Sequence, residues 1–305
     1  MASAKKKQKQ RTVYAFKTTL YLTNDDHTTT EFGWDAAKVK KLMQEIIALP
    51  ELRRRSVEPG EWSMHLEKCE IDPLKPNIMT GYFHSTKQGL RTKVQHLETG
   101  DVKDNPKPPG YNEIRTTCFA FRFTDGLFLL ADYGDNVAST ARISQYLTSF
   151  GKTLCPDMNL SGIQFDHLIS KEFLEKLNSF QRINTLEIVI DAKAEQGTDD
   201  AIATLNEELS DIQQGKIQLI LQRGDNPSLS AKGIYDWFKN KMKKHVILQG
   251  KIKGKPSPGH PKELRLTGME EKYPQKFPID KEEEVLTEPL FEFIIKIAEE
   301  RGAVT

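Results

Sequence analysis

No stretch of this chain is apolar for long. Its runs are short, 127–131 being typical, and none approaches the ~20 apolar residues that span a bilayer, so a membrane-spanning helix is excluded. Cysteine is scarce as well: Cys69, Cys118 and Cys155 are the whole supply in 305 residues, far apart and without a CxxC pair. An odd, dispersed set of thiols excludes a disulfide framework and a zinc knuckle and suits a reducing compartment. Common catalytic signatures are missing too, with no GxxxxGK[ST] loop, no GxGxxG after a strand, no HExxH and no GxSxG elbow. The seven histidines offer no i, i+4 ligand pair beside a Cys or Glu. No metal and no cofactor is therefore expected. The N-terminus, MASAKKKQKQR, has the charge of a signal peptide, but Thr12 to Leu22 alternates polar and apolar residues where an unbroken apolar region would be needed. The expected location is the cytoplasm.

What is present is enough for a real core: 37% hydrophobic and 29% charged residues over a length that suits two domains. The expected division is 1–155 and 156–305, an α/β (mixed α+β) protein with mixed sheets and flanking helices. Thr12 to Leu22 and Trp62 to Ile71 alternate like half-buried strands. Between them Ala36 to Leu49 sets Val39, Leu42, Met43, Ile46 and Ile47 on one helical face after an Asp35 cap. Asn77 to His84 reads as a strand and Thr99 to Gly110 as an exposed loop. In Cys118 to Asp132 two strand-like runs flank Asp125-Gly126, which predicts a type I′ hairpin. Ser139 then caps a helix to Phe150.

The second half alternates more regularly. Ser170 to Phe180, Asp200 to Gln214 and Ser230 to Lys244 read as helices, and Thr185 to Ile190, Lys216 to Gln222 and Val246 to Lys253 as strands. Parallel strands joined by helices would follow. Residues from Gly254 to Gly259 read as a turn or loop, and Pro289 to Arg301 as an amphipathic helix with proline in a favoured starting position. The stripe Ile234, Trp237, Phe238 and Met242 is read as core packing ahead of a ligand pocket.

A net charge of +1 hides a strong asymmetry. Lys239, Lys241, Lys243, Lys244, Lys251, Lys253, Lys255, Lys262 and Arg265 stand against Glu263 alone, so this segment carries +8 and the rest of the chain −7. A solvated surface explains any one lysine. The cluster exceeds what solubility needs and points to a polyanion, and lysine point charges suit phosphate contact better than base reading. Sequence-independent nucleic-acid binding is expected. Lys5, Lys6, Lys7, Lys9 and Arg11 offer a mobile basic arm, and Arg53, Arg54 and Arg55 a second patch, although arginines after a helix can simply favour its negative end.

A metal-dependent nuclease is the alternative. Asp191-Ala192-Lys193 follows a strand and Asp166 lies upstream, a D…(D/E)xK layout in which two carboxylates could hold a cation beside Lys193. The triplet also occurs at Asp101 to Lys103 and Glu270 to Lys272, so its specificity is poor. His167 and His84 are candidate bases, each more often structural when alone. A further alternative is a protein-binding adaptor without DNA contact, its lysines docked on an acidic surface such as segment 280–288 of a second subunit.

The order of elements resembles the RexA-type phage-exclusion proteins of temperate phages and, more distantly, the KwaB component of the Kiwa anti-phage defence system. The resemblance rests on VYAF at Val13 to Phe16, the hairpin over Phe119 to Tyr133, the helix ARISQYLTSFG, the strands LEIVID and IQLILQRG, and a helix running into lysines. It covers most of the chain and has no invariant motif. It implies a homodimer or larger homo-oligomer that binds DNA without reading sequence, senses phage nucleic acid and signals to a separate membrane-protein effector. It carries over no catalytic residue.

Overall fold

A computed structural model describes residues 8–24, 26, 28–58, 62–87, 94–95, 101–103, 114–131, 138–191, 216–222, 229, 231–234, 247–256, 262–265, 269–279 and 285–304. The helix expected over 200–214 and most of the one over 230–244 lie outside these residues, as does most of the loop 99–110. The chain forms two compact units: Met1–His167 with Lys272–Thr305, and Leu168–Glu271. The boundary expected at 155/156 falls inside the first of them. The reason is that the chain after 156 returns to pair with its own opening strand.

That opening strand, β1 (Gln8–Thr23), is followed by β2 (Thr29–Gly33), α1 (Ala36–Ala48), β3 (Ser56–Glu58), β4 (Trp62–Ile71) and β5 (Ile78–Lys87). Next come β6 (Val94–Gln95), β7 (Val102–Lys103), β8 (Arg115–Arg122), β9 (Leu127–Ala131), α2 (Thr140–Leu154) and β10 (Leu160–His167). The second unit holds α3 (Lys171–Asn178), β11 (Phe180–Asp191), β12 (Lys216–Gln222), β13 (Ile247–Pro256) and β14 (Lys262–Arg265). The chain then re-enters the first unit with β15 (Lys272–Pro278) and α4 (Thr287–Glu300).

The first unit is built on a sheet of order β10-β1-β9-β8-β5-β4-β3, with β15 and β2 also paired to β1. β1 is long because it has partners nearly end to end along one edge and over its second half along the other. Its first half pairs β15 and its second half β10 along one edge, while β9 and β2 share the other. Lys9 and Arg11 thus sit in a strand, opposite Phe277 and Gln275, and not in a mobile arm; seven residue pairs with β15 hold them there. The sheet is covered on both faces. Phe16, Phe83, Phe119, Phe121 and Phe128 are fully buried against Leu42, Met43, Ile46, Ile143 and Leu147 of α1 and α2. Each such side chain contributes roughly 1.5–3 kcal/mol. On the other face α4 packs on β8, β5, β9 and β15, with Leu290, Ile294, Ile297 and Ala298 as its buried stripe. Burial on both faces is why β9 reads as an unbroken apolar run, LFLLA, with every residue buried.

Local signals work as expected where they are local. Asp35 accepts from the Lys38 N–H, Ser139 from Arg142 and Ser170 from Phe173, each capping its helix. The Asp125-Gly126 hairpin forms, but its turn is wider than type I′. Arg122 faces Leu127 across four connecting residues, and of the two only Gly126 has positive φ, at 74°. A β-carbon on Gly126 would also meet the Trp34 ring at 2.7 Å. Asp125 stays in ordinary backbone space and uses its carboxylate on Arg122 instead. Pro289 falls at the third position of α4, not the first, where its missing N–H is still one the first turn leaves unpaired.

The second unit is a sheet of order β12-β11-β13-β14 over its own core of Phe173, Leu177, Ile183, Leu186, Ile234, Ile252 and Met269. The parallel pairing and mixed sheets expected are corrected: every described strand pair is antiparallel. β11 meets β12 with Thr185 opposite Gln222 and Asp191 opposite Lys216. Periodicity signals a buried strand equally in either direction, so it could not choose. β13 also runs on to Pro256 where a loop was expected from Gly254, because Phe180, Arg182 and Ile183 of β11 pair with that end. Among the described residues, no helix is long and apolar enough to cross a membrane.

Candidate nucleic-acid interface

The sheet of the second unit has two unlike faces, and β13 shows why. Its Ile252, Gly254 and Pro256 are buried, while the alternating Lys253 and Lys255 are exposed and Lys251 half-buried, as the two-residue period of a strand requires. Ile252 pairs with Leu186 and Gly254 with Ile183 on the core side. The other face sets Lys251 opposite Glu187, Lys253 opposite Thr185 and Lys255 opposite Arg182. On the outer neighbour, Arg265 stands opposite Lys251 and Glu263 opposite Lys253. Among the described residues, five cations, Arg182, Lys251, Lys253, Lys255 and Arg265, therefore share the open face with two carboxylates.

Those carboxylates are engaged. Glu187 reaches Lys251 Nζ with one oxygen at 2.8 Å and Lys253 Nζ with the other at 2.6 Å. Hydrogen bonds from Lys251 and then Lys253 hold the Glu187 carboxyl below its ordinary value, and the same pairing raises Lys251. Glu263 meets Arg265 at 3.2 Å. Among the described residues, Lys255 and Arg182 form no ion pair and carry the open positive end of the face. Gly254 fixes this end: a β-carbon there would meet the Arg182 carbonyl oxygen at 2.4 Å, so the backbones approach closely where the β11 register shifts. No family model and no curated protein matches the chain.

Of the nine basic residues singled out from the sequence, Lys251, Lys253, Lys255 and Arg265 share this face. Lys262 does not. It pairs with Gly254 and lies on the side of β14 that carries Leu264, since residues two apart on a strand share a face. Lys239, Lys241, Lys243 and Lys244 lie outside the described residues. Arg182 and Glu187, which sequence reading missed, come from a strand more than 60 residues away; only strand register brings them in.

The remaining candidates belong to different units or have local structural partners. Asp166 is the last residue but one of β10 in the first unit, where Gln164 Nε2 donates to it at 2.6 Å, while Asp191 ends β11 in the second unit and Lys193 lies outside the described residues. That grouping gains no geometry. His167 packs against Phe16 with ring centroids 4.4 Å apart, and Tyr14 meets it edge-on. The Arg53 to Arg55 patch is largely structural: Arg54 Nη1 donates to the carbonyls of Leu66 and Glu67, and Arg55 pairs with Glu51.

Proposed function

We propose that the protein binds DNA through its phosphate backbone, without reading sequence, on the open face of the second unit's sheet. The observation that supports this is the co-facial set Arg182, Lys251, Lys253, Lys255 and Arg265 on a folded surface. Such a surface neutralises phosphates and releases counterions. Among the described residues this face carries no aromatic ring for bases to stack on, which favours backbone contact over a single-strand stacking platform. The resemblance to RexA-type and KwaB proteins adds the biological half of the proposal. In that reading the chain acts in the cytoplasm as a homodimer or larger homo-oligomer, senses phage nucleic acid and signals to a separate membrane-protein effector.

The test is a titration of unrelated duplexes across a salt series. Five cations less the two carboxylates leave three net positive charges and a log–log salt slope on the order of −3, the same for each duplex, and Lys255→Glu with Arg182→Glu weakens binding to all of them alike. Salt-insensitive or absent binding overturns the reading. Cleavage with Mg²⁺ or Mn²⁺ that disappears in Asp191→Ala replaces it with the nuclease alternative.

A further inference from the structure

The first unit contains a second constellation, unrelated to the basic face. His65 on β4 and His84 on β5 are direct cross-strand partners. Their ring centroids lie 5.4 Å apart and nearly perpendicular. The β4–β5 register then shifts between Leu66 and Lys68, leaving Glu67 as an extra residue without a partner. This is a β-bulge, a device that re-aims a side chain. The alternation of β4 flips across it, so that Met64 and Leu66 before it and Cys69 and Ile71 after it all pack on one core. Glu67 lies two residues on from His65 and so shares its face by the ordinary period of a strand, with its Oε2 at 3.1 Å from His65 Nε2. One ligand atom from each of His65, Glu67 and His84 lies within 4.8 Å of the others.

The bulge is braced from behind. The Tyr146 hydroxyl accepts from the Leu66 N–H at 3.1 Å and donates to the Arg54 carbonyl at 2.7 Å. Arg54 Nη1 donates to the carbonyls of Leu66 and Glu67 at 2.9 and 3.1 Å. The backbone carrying the carboxylate is thus held by two side chains, one of them from α2. His65 is 8% exposed, so its imidazole is largely removed from water and oriented before any ligand arrives.

We infer that His65, Glu67 and His84 form a binding site for a divalent first-row transition-metal ion, with Zn²⁺ its natural test case. Two imidazoles and one carboxylate are a borderline-soft donor set, suited to Zn²⁺, Fe²⁺, Co²⁺ or Ni²⁺ and poorly suited to Mg²⁺ or Ca²⁺. Three protein ligands leave at least one position for water, the arrangement of reactive rather than purely structural zinc. Glu67, 31% exposed at its side chain, is on the side from which that water would enter. Tyr146 and Arg54 are positioning residues here, acting through the backbone of Leu66 and Glu67. The inference does not depend on DNA binding.

The decisive measurement is equilibrium dialysis of the full, chelator-stripped chain with Zn²⁺, together with Co²⁺ titration followed by visible absorption. Wild type is expected to bind one equivalent and to show the intense d–d bands of a low-coordinate Co²⁺ site. His65→Ala and His84→Ala together should abolish that equivalent. Glu67→Gln, which keeps the side chain's size, should weaken it by at least on the order of tenfold, the usual lower bound even for losing an outer-shell partner. Circular dichroism establishes whether each variant is folded, and a Zn²⁺-dependent rise in Tm that is larger in wild type than in Glu67→Gln at the same Zn²⁺ concentration provides an independent readout. A stoichiometric equivalent that persists in the double variant, or a folded wild type that binds none, overturns the assignment.

Discussion

Arg122 is the residue on which the end of α4 rests. Its guanidinium donates to the carbonyls of Ala298, Arg301 and Gly302 and forms a two-pronged pair with Asp125, at 2.9 Å from Nε and 2.6 Å from Nη2. Asp125 accepts in turn from the Val304 N–H at 2.7 Å. The last turn of a helix leaves carbonyls without partners, and a cation there also meets the negative end of the dipole. With both side chains about one-tenth exposed, Arg122→Ala leaves a buried carboxylate without its cation and is expected to cost roughly 3–5 kcal/mol, read as a fall in Tm and faster amide exchange in α4. Burial alone would raise the Asp125 carboxyl, but hydrogen bonds from Arg122 and Val304 outweigh it and leave the value below the ordinary 3.8. A lowered folded value means that the stabilisation is complete above about pH 3.8 and lost as pH falls through the folded value. Asp125→Asn should remove that part of the acid transition in a pH-resolved melt. At Tyr146, where burial pushes the phenol up to about 12, Tyr146→Phe strands the Leu66 N–H and is expected to cost about 1–3 kcal/mol. If Tyr146 positions the bulge, the same variant also weakens Zn²⁺ binding, which mere loss of stability would not do in a folded protein.

At the scale of elements, β11 and β13 show how charge read along a sequence differs from charge on a surface. Lys251 and Lys253 lie two apart in the chain and look like uncompensated phosphate contacts; across the strand pair Glu187 sits between them. Glu187→Gln releases both lysines, so DNA affinity should rise and the salt slope steepen by about one, measured in the same salt series. Unchanged binding would mean that this face is not the contact surface. What was legible beforehand is local: the caps at Asp35, Ser139 and Ser170, the apolar face of α1, the alternation of β1 and the Asp125-Gly126 turn all act within a few residues. Strand direction, the extension of β13 to Pro256 and the neighbours of each lysine were not legible, since each depends on pairing with a distant segment. The His65, Glu67 and His84 cluster escaped for a related reason. Helical i, i+4 spacing does not reveal these ligands, which follow strand logic, HLE on β4 and a partner across the ladder.

At the scale of the molecule, the second unit is an insertion between two strands of the first. β10 and β15 both pair with β1 along one edge, and residues 168–271 leave and return between them. The insertion's ends meet: the Glu271 N–H donates to the Leu168 carbonyl at 2.7 Å, and Ser170 N–H to Met269 at the same distance. Each unit has its own buried core, and a loop whose ends already touch is easily shortened. Replacing 168–271 by a short Gly/Ser linker is therefore expected to leave a folded, cooperatively melting first unit that retains the His65 site and has lost DNA binding; a chain that fails to fold after this excision contradicts the independence of the two cores. By itself the sequence determined the helix caps, the apolar periodicities and the concentration of positive charge after residue 238, because these depend on a residue and its near neighbours. Only the tertiary structure decided that the sheets are antiparallel, that Lys251 and Lys253 share one carboxylate, and that two histidines and a glutamate converge on a bulge. Those features arise from strand register, and register is set by contacts between segments that the order of residues leaves far apart.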